Sequence, residues 1–579
     1  MTILRCLDAE KIIPISRFST EVFKTGAWGA RLPEHEEKLS PCRAACPAGE
    51  DIPAYVALAR AGDLKGAFVT LTQDNPLPAV CGRVCYHPCE GDCLRGSQEG
   101  AVAIHRVERY VGDFGLGHLS FPKPEGESGK SVAVVGSGPA GLSCAFHARR
   151  LGLKVTIFEA EEVLGGMLRL GIPAYRLPRD VLDKSIQMIL DMGIATRTGF
   201  RLGEKNTWKA LDSFDAVFLA LGAHEPTMPS LPGMDHPNVM SGLRFLREVN
   251  RDGREEISGP VAVMGGGNTA IDAARVSLRL GAEATIIYRR SRQEMPASAE
   301  EVSDALGEGV SLMECTLPLE IKSSDGGLRV TCVKTEARGQ DESGRKRYVP
   351  RRGSEFEVKV STVITGTGQS VAAPEEAGPV SITPEGIPVA ADLHAGSGKY
   401  YAGGDVVAGP RRVCDAIGSG KLAALSIHAR LNGLDMESLW SRVRIGRGPT
   451  FSMGEYLHGD KAPHPRTKTP VHLEEVKPEW FEPSDRMEPS KLSAEEAIHG
   501  FEEVVRNVGD EEFSNACSRC FSCGTCTSCD RCYLYCPEVS MVPPKDSGEG
   551  YEGNSEYCKG CGVCAAVCPR GVMTMRDGK

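Results

Sequence analysis

Seven cysteines fall between Cys517 and Cys536, the first six at every third position, and four more follow at Cys558, Cys561, Cys564 and Cys568. Six others lie between Cys42 and Cys93, so seventeen of the chain's 22 cysteines sit in two short regions. The remaining five, Cys6, Cys144, Cys315, Cys332 and Cys414, read as structural thiols. The opening MTILRCLDAEKIIPISRF has its apolar patch broken by Asp8 and Glu10, with no small-residue cleavage site after it, so no secretory leader is expected. A chain kept in the reducing cytoplasm does not use thiols for disulfides, which leaves metal binding or redox chemistry.

The last run is Cys558-x2-Cys561-x2-Cys564-x3-Cys568-Pro569. This is the bacterial ferredoxin spacing, in which three thiolates wrap one [4Fe–4S] cube and the fourth reaches a neighbouring cube. Zinc sites show two separated pairs instead. Cys526-x2-Cys529-x2-Cys532-x3-Cys536-Pro537 repeats the spacing. By the crossover, one cube takes Cys526, Cys529, Cys532 and Cys568, and the other takes Cys558, Cys561, Cys564 and Cys536. A register six residues earlier, Cys520-x2-Cys523-Gly-x-Cys526, has the same shape and stays open. The later register is preferred because it alone keeps the x3-Cys-Pro step, and it leaves Cys517, Cys520 and Cys523 unassigned.

With 579 residues the chain exceeds one hydrophobic core and implies three or four domains. A net charge of -10 argues against nucleic acid as the main partner. No apolar run reaches the length of a membrane span. A cytoplasmic enzyme is expected.

Between the cysteine groups lie two strand–glycine turn–helix units. In GKSVAVVGSGPAGLSCAFHARRLGLKVTIFEA, Gly136, Gly138 and Gly141 form G-x-G-x-x-G, with Pro139 and Ala140 inside it. The glycines permit the turn, the approach of a pyrophosphate and helix–strand packing, while the helix N-terminus favours the anion. Glu159 ends the second strand, where it can accept from ribose hydroxyls. In GPVAVMGGGNTAIDAARVSLRLGAEATIIYRR, Gly265, Gly267 and Ala270 form G-x-G-x-x-A around Asn268 and Thr269. Its second strand ends in Arg289 and Arg290 rather than an acid. Arginines there bind a 2′-phosphate, which favours NADPH, with NADH use left open.

Further on, VITGTGQS (Val363–Ser370) is a strand running into a turn at Gly368, and KYYAGGDVVAGPRRVCDAIGSGKLAA carries Gly404 and Asp405, with a helix starting near Ala416. This arrangement resembles the two-dinucleotide-domain flavoproteins, in which such an Asp bonds the FAD ribitol and the following helix points at the flavin. Gly165-Gly166 and the MLRLGIPAYRLP after it, with Arg169, strengthen the match. The redox cysteine pair of disulfide reductases is not seen in the sequence, so electrons entering the flavin need another exit.

The N-terminal group is Cys42-x3-Cys46-Pro47, then Cys81, Cys85, Cys89 and Cys93 at every fourth position. Together with the nucleotide motifs, it resembles the glutamate synthase small-subunit family over about residues 40 to 432. The resemblance implies a helical domain with two [4Fe–4S] cubes between flavin and partner. One cube would take Cys46, Cys85 and Cys89, with Glu108 as the fourth ligand. For the second, two family cysteines expected just before Cys42 are absent, since that stretch reads EHEEKLSP. Cys42 and Cys93 remain, with Cys81 as a possible third ligand, so one or two N-terminal cubes are expected.

The expected fold is therefore an α/β two-dinucleotide-binding-domain flavoprotein with an N-terminal α-helical iron–sulfur domain and a C-terminal ferredoxin-like α+β domain. The expected divisions are an arm at 1–40, the helical domain at 41–128, FAD domain at 129–235 and 362–432, NAD(P)H domain at 236–361, a Pro- and charge-rich linker at 433–510 and the ferredoxin module at 511–579. Within the linker, LSAEEAIHGFEEVVRNV reads as an amphipathic helix capped by Ser493 with Glu496. The arm's Lys-Thr-Gly-Ala-Trp run resembles a segment of 2-oxoacid:ferredoxin oxidoreductase small subunits and reads either as a docking arm or as a strap on its own protein.

The expected function is an NAD(P)H:acceptor oxidoreductase subunit. Its partner would be ferredoxin or a larger catalytic subunit such as glutamate synthase, a 2-oxoacid oxidoreductase or a dissimilatory sulfite reductase, in a homodimer or hetero-complex. Flavin-based bifurcation and a non-catalytic electron-transfer scaffold are the alternatives.

Overall fold

The computed structural model describes residues 24–577, apart from positions 125, 255, 258, 325, 341–343, 345, 397, 447–449, 459–466 and 545–549. Cys6 and the opening segment lie outside the described residues. Two compact units emerge: Cys42–Leu457 with Ser484–Cys520, and the described parts of Met1–Pro41, His458–Pro483 and Phe521–Lys579.

In the larger unit, the apolar run Ser131–Val135 forms the middle of a five-stranded parallel sheet, flanked by Lys154–Phe158 and then Ala195–Arg197 on one side. Ala216–Leu219 and Tyr400–Ala402 complete the other side. A parallel sheet must be covered on both faces, which is why its strands are continuously apolar. The second parallel sheet runs Ser311–Met313, Ala284–Ile287, Val261–Met264, Thr362–Thr365, Val239–Ser241. Thr362–Thr365 was expected to return to the first domain. Its ladder instead joins Val261–Met264 and Val239–Ser241, so the chain goes back only after this strand. The short antiparallel pair of Glu225–Pro226 with Gln369–Ser370 marks both crossings. An antiparallel sheet of Thr316–Ser324, Gly327–Gln340 and Lys346–Val360 extends the second domain.

The N-terminal cysteines ride on short helices, Pro41–Ala45, Pro78–Val84 and Pro88–Gly91, packed with Ile52–Arg60, Leu64–Leu71 and the longer Ile104–His118. Prolines at the first turns of Pro78–Val84 and Pro88–Gly91 set the helical φ where the missing N–H costs nothing. The core of this helical domain is continuous with one face of the first sheet, from Tyr55 and Val107 through to Val134 and Phe218.

Residues from 511 onward were expected in the ferredoxin module, and that stretch begins with the helix Asp510–Ser518. It packs instead in the larger unit, against Ile52–Arg60 and Ile104–His118. The Ser493/Glu496 capping box is present, but its helix spans only Ala494–Ile498 and stops before Gly500. Ala497 and Val504 then pack into the second nucleotide domain's core.

In the smaller unit, Arg31–His35 pairs antiparallel with Met573–Asp577, and Met541–Val542 pairs with Glu552–Gly553. Two four-residue helices, Arg531–Leu534 and Val563–Ala566, follow the two cysteine loops. The Lys-Thr-Gly-Ala-Trp run lies along its own module. Lys24 pairs with Glu556 at 2.7 Å, Gly26 N–H donates to the Glu556 carbonyl at 2.8 Å, and Lys559 sits over the Trp28 ring. It is a strap in this fold.

Candidate functional site

The larger unit contains a cleft of about 1600 Å³ lined by both glycine turns. Gly136 and Gly265 take positive φ, 107° and 140°, and a Cβ on either would lie within 2.3 Å of a backbone oxygen of the neighbouring strand end. Only glycine fits there. At Gly138 and Gly267 the space a side chain would fill is open, as a cradle for phosphate requires. The helices Pro139–Arg150 and Asn268–Arg279 begin at those two residues, so their free N–H groups are available for a diphosphate.

Glu159 is buried at the end of its strand. Its Oε2 accepts from the Ser137 amide at 2.9 Å, and its Oε1 from the Glu161 amide at 2.9 Å. That fixes the carboxylate at the cleft wall with lone pairs to spare. Asp405 also lines the cleft and has no hydrogen-bond partner among the described residues. Burial raises its carboxyl to about 6, opposed by Arg411. A desolvated carboxylate held beside glycines suits a ligand that brings its own hydroxyls. These residues fit FAD.

On the other wall, Asn268, Thr269, Arg289 and Arg290 line the same space. Arg289 is exposed and enters no ion pair among the described residues, so a cation is available where a 2′-phosphate would sit. Gly166, Gly368, Gly404 and Ala416 also line the cleft. Gly141 and Ala270 do not; both are the third position of their motif and pack helix against strand, Ala270 being fully buried. Arg169 is not at the cleft surface either. Its guanidinium caps the Leu164 carbonyl and pairs with Asp183.

The cysteine turn Val84–Tyr86 reaches this cleft, since Val84 and Tyr86 are both lining residues with Cys85 between them. The Cys85 thiol is buried beside Cys414, and donating its proton in a hydrogen bond to Cys414, with burial behind it, pushes it up. Cys414 begins the helix Val413–Leu431, whose Val413 and Ala416 line the cleft. Sequence reasoning passed over Cys414 as a bland core thiol; its position two residues before Ala416 was the available signal.

Cys46 and Cys89 are buried in the same core, their thiols pushed far up by burial, with Glu50 and Cys414 adding to it at Cys46 and Cys46 adding to it at Cys89. Desolvated thiolates of this kind need a compensating cation, which iron supplies. The His87 amide donates to Cys85 Sγ at 3.4 Å, as thiolate ligands receive. Glu108 lies alongside, buried, with Asn75 Nδ2 donating at 2.9 Å both to it and to Glu50. Burial raises the Glu108 carboxyl strongly, and burial raises Glu50 to about 7. Cys81, the possible third ligand beside Cys42 and Cys93, feels Glu108, Glu50 and Asn75, the groups that flank this site.

The smaller unit brings its eight thiols together in the crossed arrangement. A small cavity is lined by Cys526, Cys529, Cys532 and Cys568. Cys564 is set among Cys558, Cys561 and Cys536. The earlier register is disfavoured by this grouping. Amide donors again point at sulfur: Gly560 N–H to Cys558 at 3.4 Å and Ser540 N–H to Cys536 at 3.3 Å. Among the described residues the one acid–histidine or thiol set converging within 4.8 Å is His87, Glu90 and His105, and Arg486 already occupies Glu90 at 2.7 Å. Among the described residues no thiol set contracts to single-ion spacing.

Comparison with known proteins agrees with this geometry. The pyridine nucleotide-disulphide oxidoreductase model matches residues 130–420, dihydropyrimidine dehydrogenase domain II with its 4Fe-4S cluster matches 36–118, and a 4Fe-4S binding domain matches 551–574. The NADPH-Fe(3+) oxidoreductase subunit beta of Geobacter sulfurreducens is 34% identical over 86% of this chain and 76% of its own length. The NADP(+)-dependent formate dehydrogenase subunit beta of Moorella thermoacetica is 38% identical over 67% of this chain, which spans 59% of that protein. The glutamate synthase [NADPH] small chain of Escherichia coli is 35% identical over 66% of this chain and 87% of its own. With the nucleotide cleft, the helical cysteine domain and the last cysteine loop matched, the chain belongs to the pyridine nucleotide-disulphide oxidoreductase family, as an NAD(P)H-dependent iron–sulfur flavoprotein oxidoreductase of the glutamate synthase small-chain type.

Proposed function

We propose that the chain is the flavin subunit of a larger electron-transfer complex, exchanging a hydride between NADPH and FAD in the cleft and passing electrons to or from a redox partner protein through [4Fe–4S] cubes. The observation that carries this reading is the position of Cys85, between two cleft-lining residues and hydrogen-bonded to Cys414. A thiolate ligand there ends the wire at the flavin's wall.

Bound FAD would supply the change from two-electron to one-electron chemistry, which is the cofactor's own work. The chain's residues bind and orient. Gly136, Gly138 and the helix beginning at Pro139 would hold one diphosphate, with Glu159 and Asp405 on hydroxyls of the same ligand. Gly265, Gly267, Asn268 and Thr269 would hold the nicotinamide nucleotide, and Arg289 with Arg290 would prefer its 2′-phosphate. Cys46, Cys85, Cys89 and Glu108 would hold the nearest cube. Cys526, Cys529, Cys532 and Cys568, and Cys558, Cys561, Cys564 and Cys536, would hold the two ferredoxin cubes. The relatives' names, two of them beta subunits and one a small chain, support a heteromeric setting. Among the described residues no helix is long and apolar enough to cross a membrane.

The test is anaerobic mixing of the purified protein with NADPH, followed by absorbance and electron paramagnetic resonance. Flavin bleaching followed by reduced-cube signals is expected. A flavin that stays oxidised would overturn the reading.

A further inference from the structure

The sequence just ahead of Cys42 lacks the two cysteines that the family resemblance calls for, reading EHEEKLSP instead. Cys42 stands one helical turn before Cys46, whose amide donates to the Cys42 carbonyl at 3.1 Å. Cys93 stands one turn after Cys89. With Cys46 and Cys89 committed to the inner site beside the cleft, Cys42 and Cys93 form a second, outer pair of thiols. Cys81 has Glu108 and Glu50 as its charged neighbours, on the inner side.

Building on the electron-transfer reading, we infer that Cys517 and Cys520 complete this outer site, so that Cys42, Cys93, Cys517 and Cys520 hold a further [4Fe–4S] cube. The ligands missing from the front of the domain come from a segment more than four hundred residues later.

The helix Asp510–Ser518 is fastened to the helical domain. Arg106 Nη2 donates to Glu512 Oε2 at 3.1 Å, Tyr110 Oη to Asp510 Oδ1 at 2.9 Å, and the Tyr110 and Phe513 rings stack at 3.9 Å. This delivers Cys517, 1% exposed, into the core that also holds Cys46 and Cys89. Cys42, Cys93 and Cys520 all pack against that same core. The Cys520 amide closes on the Cys517 carbonyl at 3.3 Å, a tight turn that keeps the two thiols within reach of each other's charge.

Arg519, between them, is locked in place. Its guanidinium donates to the carbonyls of Ser484 at 2.7 Å, Ala101 at 2.8 Å, Gly100 at 2.6 Å and Glu99 at 3.1 Å. In return Arg95, two residues after Cys93, donates to the Arg519 carbonyl at 2.8 Å. The Cys93 loop and the Cys517–Cys520 turn are thus tied to each other from both sides. The same contacts supply charge. A cube with four thiolates is a buried anion, and buried anions need cations nearby. Arg519 interacts with Cys93, and Arg60 with Cys517.

The consequence is an unbroken sequence of sites inside one unit: the cleft, the cube at Cys46, Cys85 and Cys89, and then the cube at Cys42 and Cys93. The latter is carried on the very segment that continues into the ferredoxin loops at Cys526.

The experiment counts iron and acid-labile sulfide in the full chain purified without oxygen, at about four irons per cube. Wild type is expected to hold about sixteen, and about twelve would overturn the inference. The double variant Cys517→Ser/Cys520→Ser is expected to lose about four irons, as is Cys93→Ser, and the triple variant to lose the same four. If the double variant kept its iron while Cys93→Ser lost four, or if the triple variant lost eight, the shared cube would be disproved. Retained FAD that NADPH still bleaches shows that the nucleotide domains of each variant are folded. Should the variants precipitate, the wild-type count alone decides. Failure of the underlying electron-transfer reading looks different: a wild-type protein without iron, or with flavin that NADPH leaves oxidised.

Discussion

Lys421 Nζ lies 2.7 Å from Asp74 Oδ1, with the two side chains 0% and 2% exposed. The ammonium donates also to the carbonyls of Ala48 at 2.6 Å and Phe451 at 2.5 Å, so all three of its hydrogens are used. Lys421 belongs to the helix that begins at the cleft, and Asp74 and Ala48 belong to the cysteine domain. The pair therefore fixes the distance between the candidate flavin wall and the Cys46 site. Removing one partner of such a pair leaves a buried charge uncompensated and costs about 3–5 kcal/mol. Lys421→Ala is expected to show that loss in urea unfolding followed by flavin release. The Lys421→Met/Asp74→Leu pair should lose distinctly less. Equal losses would show that burial, not charge pairing, matters here.

Arg289 makes no ion pair of its own among the described residues, and its place at the end of Ala284–Ile287 suits a 2′-phosphate. A hydrogen bond to a charged group is worth about 1.5–3 kcal/mol, so Arg289→Ala should raise the KM for NADPH by about ten- to a hundredfold. The KM for NADH should hardly move. Steady-state kinetics with both nucleotides checks this, and equal changes for the two would remove Arg289 from the phosphate site.

Asp405 gives a pH prediction. Its folded pKa, about 6, is raised by burial above the ordinary aspartate value near 3.9. The unfolded state then loses its proton first, so folding stability falls as pH rises between about 4 and 6 and is level above that. In flavin-stripped protein, Asp405→Asn should be more stable than wild type by up to about 2–3 kcal/mol at pH 8 and indistinguishable at pH 4. It should also retain FAD less well. A stability difference that grows toward low pH would contradict the sign.

Cys85→Ser should remove about four irons and uncouple the cleft from the rest of the wire. NADPH should still bleach the flavin, while reduction of the ferredoxin cubes slows by orders of magnitude in stopped-flow traces. Unchanged cube reduction would mean that electrons leave the flavin elsewhere.

The crossed ferredoxin loops predict that Cys568→Ser damages the cube of Cys526, Cys529 and Cys532, and that Cys536→Ser damages the other. Combining Cys568→Ser with Cys526→Ser should then cost no more iron than either change alone. Combining it with Cys558→Ser should cost about twice as much. An uncrossed arrangement reverses the two results.

What could be read from the residue string was local. Glycines at Gly136 and Gly265 must sit where a strand turns into a helix, because no side chain fits there. Apolar runs such as Val132–Val135 must be parallel strands covered on both faces. The x2-x2-x3 thiol spacing winds around a cube whatever surrounds it. These follow from steric and periodic rules that act within a dozen residues, and they were enough to name both nucleotide turns and both ferredoxin loops. The rest depends on which distant pieces of chain come to lie together. Thr362–Thr365 has the same apolar character as any strand of the first sheet, and only its ladder shows that it belongs to the second. Cys414 meets Cys85, Lys421 meets Asp74, and the helix Asp510–Ser518 brings Cys517 into the core against which Cys93 packs, each across more than three hundred residues. Burial, shape and charge choose such partners after the chain has folded, and no spacing along the chain records the choice.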